Sequence, residues 1–387
     1  MRSKILDVRE EHRWDVAVIG AGPAGLAAAH AAATGGARVI VLERAEHPRY
    51  KTCGGGLLGT SQRLSAEVMT VPARDRINAV TFTHDGRREF TRRAPGEPVV
   101  TMVRREDFDA AWLGAAVRAG VTVRQNSLVR GITQDDAAAT VSVANGADVT
   151  ARVVIGADGS AGVSTRHVGV TFDQQDLGLE LELAATEADR FRWRGRLLLD
   201  WGPAPGSYGW VFPKDDQLTV GVIMKKGQGT ETRRYLRDFV TRLGLADRAV
   251  LRDSGHLTRC RSATAPLRRG RVLVAGDAAG LLDPWTREGI SFALRSGSWA
   301  GRVAARGGDL AAYDRMIGER IAPEMAAGST LLGLFGRHPR LVHAAFASPY
   351  GWRAFTGFCR GEISLTRVLR HRAIRAAVHA LGGRPGR

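Results

Sequence analysis

The sequence is short of several things, and each shortage excludes a class of protein. It holds three cysteines in 387 residues, Cys53, Cys260 and Cys359, too few and too scattered for a disulfide framework. No apolar run is long and uncharged enough to cross a bilayer, and the N-terminus lacks the basic-then-apolar pattern of a secretory signal. Together these absences make a cytoplasmic location the expectation. There is no internal repeat, low-complexity tract or long Ser- or Gly-rich linker, which excludes repeat arrays. No cluster of His and Cys has metal-ligand spacing, so no metal is expected, and His47 and His84 read as isolated surface residues. Negative charge is also scarce, 39 Asp and Glu against 56 Lys and Arg, nearly all arginine, for a formal net charge of +17. A surface of that sign attracts anionic lipid headgroups, by about 1 kcal/mol per cation near the membrane, although a basic surface with no specific partner is the other reading. No nucleic-acid fold signature accompanies the charge, so nucleic acid is not an expected partner.

What is present begins with a complete dinucleotide fingerprint. Asp15-Val16-Ala17-Val18-Ile19 is a buried-strand pattern that runs into Gly20-Ala21-Gly22-Pro23-Ala24-Gly25, and an alanine-rich helical segment follows from Leu26. Gly20 permits a tight turn, Gly22 lets the backbone approach a pyrophosphate, and Gly25 lets the helix pack against the strand. Pro23 and Ala24 open the helix, whose N-terminus offers free N–H groups to an anion. A second strand, Arg38 to Leu42, ends at Glu43 and Arg44. A carboxylate at that distance accepts from an adenosine ribose hydroxyl and disfavours a 2′-phosphate, so FAD or NAD fits better than NADP.

Two later segments repeat the theme of a buried strand delivering an aspartate among glycines. Val153-Val154-Ile155 leads into Gly156-Ala157-Asp158-Gly159, and Val272-Leu273-Val274 leads into Ala275-Gly276-Asp277. Such an aspartate can accept from polyol hydroxyls such as those of a ribityl chain; taken alone, either reads equally as a helix cap or solvated turn. In this order the chain resembles the FAD-dependent group that contains aromatic hydroxylases, flavin halogenases and geranylgeranyl reductases. The resemblance implies that Asp277 holds the ribityl or pyrophosphate part of FAD and that Arg105, in Arg105-Glu106-Asp107, contacts the cofactor.

Three motifs resemble the geranylgeranyl reductase family in particular, over about Asp15 to Arg306. Pro48-Arg49-Tyr50-Lys51-Thr52-Cys53-Gly54-Gly55-Gly56 is similar to that family's Lys-x-Cys-Gly-Gly element and implies that Cys53, Gly54 and Gly55 lie beside the flavin. Tyr208-Gly209-Trp210-Val211-Phe212-Pro213-Lys214 is similar to its Tyr-x-Trp-x-Phe-Pro signature. Alternate side chains of a strand share a face, so Tyr208, Trp210 and Phe212 form one apolar wall. Leu282-Asp283-Pro284-Trp285-Thr286-Arg287-Glu288-Gly289-Ile290 is the third. There a helix starting near Glu288, with Gly289 and Ile290, would aim N–H groups at the flavin pyrimidine edge. The family usually has glycine where Arg287 stands.

The resemblance implies an FAD-dependent reductase that saturates double bonds of a polyprenyl group, with Cys53, Tyr208 and Trp210 as the catalytic-site residues. NADPH or a reduced ferredoxin-like electron-transfer protein would serve as electron donor. An FAD-dependent monooxygenase or halogenase is the alternative, and a lipid-escort protein without flavin chemistry is a further one. The expected fold is α/β, a Rossmann-like FAD-binding domain (13–75, 104–170 and 260–306) with an inserted, mostly antiparallel substrate-binding sheet (76–103 and 171–259) and a C-terminal helical region (307–387). The tail from Arg337 to Arg375 mixes arginines with Leu341, Val342, Phe346, Tyr350, Trp352, Phe355 and Phe358. That composition suits either an interfacial face at the inner side of the cell membrane or a helical lid over the body.

Overall fold

A computed structural model describes residues 14–372 together with Ile374, Ala376, Val378 and Leu381. The start of the expected first domain at residue 13, Arg375 and the end of the C-terminal region lie outside the described residues.

The buried strand patterns pair as parallel neighbours because both of their faces are covered. Trp14–Ile19 lies between Val39–Leu42 and Val149–Gly156, and Val272–Val274 adds beyond the latter, all in parallel. Every residue of Val39–Leu42 and Val272–Val274 is buried, as expected for strands with helices on both sides. The helix Pro23–Thr34 packs along Ile290–Arg306 through small residues. A Cβ at Gly297 or Gly301 would sit 2.1 Å from the Ala24 or Ala28 carbonyl oxygen, so the two backbones touch. This is the expected Rossmann-like core.

The second sheet has seven strands, and every pair is antiparallel except Arg196–Trp201 with Ala79–His84. Its outer face packs against the helix Gly229–Arg242, where Leu179, Leu183, Val211, Val220 and Val222 meet Tyr235 and Phe239. Its inner face turns toward the first sheet. Within the expected insertion 76–103, Ala79–His84 and Arg87–Arg93 join this sheet, whereas Val100–Val103 pairs with Gly56–Leu57 and Ala73–Ile77 in a small three-stranded sheet. The strand Val250–Arg261 runs across the expected boundary at residue 260. Helices from Ala322 to Arg370 cap one end of the space between the sheets.

Candidate active site

Between the two sheets lies a cavity of about 1540 Å³. An ordinary small-molecule site occupies roughly 300–1,000 Å³, so there is room for two ligands side by side. Its two ends are built differently.

At one end stand the glycine turn and its supports. Gly20 has φ +98°, and a Cβ there would lie 2.5 Å from the Ala157 oxygen; a Cβ at Gly25 would lie 1.9 Å from the Gly20 oxygen. Gly22 caps the helix with Pro23 in its first turn. Glu43 is buried and its carboxylate accepts from Ala21 N (2.7 Å) and Ala45 N (3.0 Å). Arg44 lines the cavity next to it. Arg49 then ties this corner together, 3.6 Å from Glu43 and 3.6 Å from Asp109. Asp109 is fully buried and takes a bidentate pair of bonds from Arg105, at 3.0 and 2.8 Å. Burial works against the Arg105 charge, and Asp109 together with Cys53 more than offsets it. Ala157, Asp158 and Gly159 also line the cavity, with both Asp158 oxygens engaged by Ser164 at the start of the helix Val163–Val168. Asp277 follows Gly276 in a short turn, its carboxylate 3.7 Å from His256 Nε2. Gly289 caps the helix that starts at Ile290, and the Glu288 side chain accepts from Ser291 N at 2.7 Å.

The loop Tyr50 to Gly56 joins this end to the second sheet. Gly54 has no side chain because the Phe212 ring occupies its space, 2.7 Å from where a Cβ would be. Gly55 has φ +74°, and a Cβ there would lie 2.2 Å from the Val103 oxygen. The half-buried Cys53 is a free thiol; its backbone N donates to Glu180 at 2.6 Å and its oxygen accepts from Lys214 Nζ at 3.4 Å.

The inner face of the second sheet changes character from strand to strand. On Phe172–Ala184, Asp176, Glu180 and Glu182 share one face and are buried. Glu182 pairs with Lys214 at 3.4 Å and accepts from Thr219 at 2.7 Å. On Tyr208–Lys214 the side chains Tyr208, Trp210 and Phe212 line the cavity, as the alternation predicts. Tyr208 donates to the Thr286 oxygen at 2.6 Å, and burial pushes its hydroxyl up to about 12. The Trp210 indole lies over Gly221, where a Cβ would be 2.2 Å from the ring, and its buried N–H has no partner among the described residues. Beyond it come Leu199 and Trp201, then Phe82, on which Phe346 stacks at 5.4 Å and against which Phe355 packs edge to face at 5.3 Å.

One sequence expectation changes, at two histidines, and two points left open are decided. His47 and His84 are not surface residues. His47 is half-buried with both ring nitrogens unpartnered among the described residues, its pKa lowered by burial and by Arg49, and His84 packs against His343 at 6.2 Å. The tail aromatics turn inward: Val342, Phe346, Trp352, Phe355 and Phe358 pack on the aromatic part of the sheet, leaving Leu341 and Tyr350 exposed. Arg287, where the family usually has glycine, turns inward. Its backbone keeps φ +55°, a conformation glycine adopts without strain, while its guanidinium pairs with Asp176 at 3.1 Å and lies 5.6 Å over Tyr208. Sequence reasoning missed Asp176, Glu180, Glu182, Arg49 and Asp109. The available signal for the first three was the run Asp176-Leu-Gly-Leu-Glu180-Leu-Glu182, in which acids alternate with leucine.

The residues at the glycine end fit FAD: a helix N-terminus behind Gly22, a buried acid at Glu43, and a cradle whose glycines have no room for side chains. An FAD binding domain model matches residues 13–298. A digeranylgeranylglycerophospholipid reductase of Methanothrix thermoacetophila is 30% identical over 84% of this chain and 88% of its own length. The chain belongs to the geranylgeranyl reductase family of FAD-dependent oxidoreductases. Among solved structures, a geranylgeranyl bacteriochlorophyll reductase-like protein of Thermoplasma acidophilum superposes with a TM-score of 0.75 at 22% identity, covering 96% of this chain and 99% of that one. A flavin-dependent brominase gives a TM-score of 0.73 at 20% identity over 95% of this chain and 100% of its own. At such identities the likeness is one of fold. Among the described residues no group of His, Cys, Asp and Glu is placed to hold a metal, and no helix is long and apolar enough to cross a membrane.

Proposed function

We propose that the protein saturates carbon–carbon double bonds of a polyprenyl group. The observation that carries this reading is the continuity of the cavity: a cofactor end lined by Gly20, Glu43 and Asp277 passes without a partition into an apolar end lined by Trp210, Trp201, Phe346 and Phe355. The reductases of this family whose names specify digeranylgeranyl lipids support it. A chain of about twenty carbons loses on the order of 15 kcal/mol when moved from apolar surroundings into water, so its holder needs an extended apolar slot.

In this reading Gly20, Gly22, Pro23, Ala24 and Gly25 take the FAD pyrophosphate. Glu43 and Arg44 take the adenosine end, Arg105, Ala157, Asp158, Gly159, Gly276 and Asp277 hold the middle, and Gly289 with Ile290 supplies helix N-terminal polarity. Bound FAD supplies, when reduced, the hydride equivalent that the side chains cannot. Cys53, Gly54 and Gly55 shape the meeting point of the two ligands. Trp210 and Tyr208 orient the alkene, and the C-terminal helices exclude water. NADPH or a reduced ferredoxin-like protein is the electron source. Leu341 and Tyr350, exposed beside arginines on the helical cap, rest on an anionic membrane surface from which the lipid is drawn.

The likeness to a flavin-dependent brominase favours one second reading, a monooxygenase or halogenase acting on a small molecule. Anaerobic incubation of the reduced, FAD-loaded protein with a geranylgeranyl lipid separates the two. Gain of one hydrogen molecule per double bond, read by mass spectrometry, supports the reductase; an oxygenated or halogenated product formed only in air overturns it.

A further inference from the structure

A double bond that accepts a hydride at one carbon must receive a proton at the other, and none of the residues named above supplies it. The row of buried acids on Phe172–Ala184 offers three candidates, and two are already committed. Asp176 pairs with Arg287, and Glu182 pairs with Lys214 and Thr219. Glu180 is different. It is 2% exposed yet lines the cavity beside Cys53, and one oxygen, Oε1, takes both of its hydrogen bonds, from Cys53 N at 2.6 Å and from Tyr50 OH at 3.4 Å. Among the described residues none donates to Oε2. We propose, building on the reductase reading, that Glu180 is the catalytic acid of this site, that Oε2 carries the proton, and that Tyr50 and Ser254 reload it from solvent.

The reloading path is built into the sheet. Ser254 is the cross-strand partner of Glu180 on Val250–Arg261, the edge strand of the sheet, and its hydroxyl lies 2.8 Å from Tyr50 OH. Arg252, exposed at that edge, stacks 4.1 Å over the Tyr50 ring and fixes its position. A hydroxyl that both donates and accepts can pass a proton inward by rotating; the proton arrives on Oε1, and rotation of the neutral carboxyl group brings it to the Oε2 position. In each turnover the π bond breaks and two C–H bonds form. One hydrogen arrives as hydride equivalent from the reduced flavin and the other as the Oε2 proton. The carboxylate left behind keeps the Cys53 N–H bond and faces Lys214 and Lys51, which stabilise its charge, before solvent restores the proton through Ser254 and Tyr50.

The groups around Glu180 set its proton affinity by opposing effects. Burial raises it, Lys214 two strands away opposes, Glu182 on the same strand adds to the rise, and the Cys53 amide and Lys51 of the loop lower it, leaving the carboxyl at about 7. An acid of that strength is protonated in a useful fraction at neutral pH and can still release its proton.

The test has two readouts. Infrared titration of the FAD-loaded, oxidised protein should show protonated-carboxyl absorbance near pH 7, part of it from Glu288, and the wild-type-minus-Glu180→Gln difference should contain one carboxyl band with a midpoint near pH 7. A difference spectrum with no such band, or with a midpoint in the ordinary carboxylate range, overturns the assignment. With reduced FAD and a geranylgeranyl lipid, Glu180→Gln should lose product formation by about 10²–10⁴-fold, the range for removing a general acid. Tyr50→Phe, which leaves the Oε2 proton in place, should complete a first turnover and slow in later ones. Full steady-state activity in Glu180→Gln beside an active wild type overturns the acid role and leaves the reductase reading standing. A wild type that yields no saturated product while its infrared band titrates as described overturns the reductase reading and with it the catalytic role of Glu180.

Discussion

The inner face of the seven-stranded sheet has two halves that could belong to different proteins. Toward Val250–Arg261 it is polar, with Asp176, Glu180 and Glu182 buried and Ser254 and His256 half-buried; Glu180 and Ser254 bond to the Tyr50 to Gly56 loop and Asp176 to Arg287. Toward Ala79–His84 it is aromatic, with Trp201, Phe82, Phe346, Trp352 and Phe355 packed face to face and edge to face on one another. The strand Tyr208–Lys214 is the seam, apolar at Trp210 and Phe212 and ending in the ion-paired Lys214. The polar half costs desolvation free energy that the fold recovers only through matched partners, whereas the aromatic half stabilises by burial with little directional demand. Selection for stability alone would not place a carboxylate row there, so the row is best understood as functional.

The sharpest way to break the polar half is Asp176→Ala, which strands the Arg287 guanidinium where its side chain is 5% exposed. Denaturant unfolding should show a loss of about 3 kcal/mol, and Asp176→Ala combined with Arg287→Gly should recover most of it. On the aromatic side of the seam, Trp210→Ala should keep the yellow cofactor and lower turnover by about 100-fold, since a substrate displaced by about 1 Å loses that much. Unchanged turnover would remove Trp210 from the site.

A smaller effect is expected from pH. Glu180 and Glu288 both have carboxyls raised to about 7 from an ordinary 4.5, in each case by burial first. The folded state therefore binds these protons more tightly than the unfolded chain. Their contribution to stability is complete below the ordinary value and is lost as pH rises through about 7. Denaturation midpoints should fall across that window, and Glu180→Gln should flatten the slope. The smallest expected change is at the cap: serine at both Leu341 and Tyr350, 52% and 88% exposed, should leave folding intact. It should weaken sedimentation with anionic vesicles by about 1 kcal/mol per side chain.

The same two halves differ in how far the sequence disclosed them. The glycine turn, the strands that deliver Asp158 and Asp277, and the wall of Tyr208, Trp210 and Phe212 were legible because each depends on neighbours within a few residues. The carboxylate row was not. Acids alternating with leucine describe a strand with one wet face, and only the arrival of the Tyr50 to Gly56 loop, some 130 positions away in sequence, buries that face. Arg49 and Asp109 escaped for the same reason, since their pairing joins a loop to a helix 60 residues later. The histidines were misplaced because a ring carried into a half-buried corner leaves no local trace. Arg287 was noticed as a departure, but its partner Asp176 lies on another sheet.

That partnership has a mechanical consequence. The Arg287–Asp176 bond joins a loop of the nucleotide-binding body to the floor of the neighbouring sheet, and Tyr208 adds a second fastening through the Thr286 carbonyl. Two such rivets at one seam resist any hinge that would swing the bodies apart there, because opening it would leave a guanidinium and a carboxylate facing hydrocarbon. On the reductase reading proposed above, a long greasy guest would then enter at the rim under the helices that carry Phe346 and Phe355.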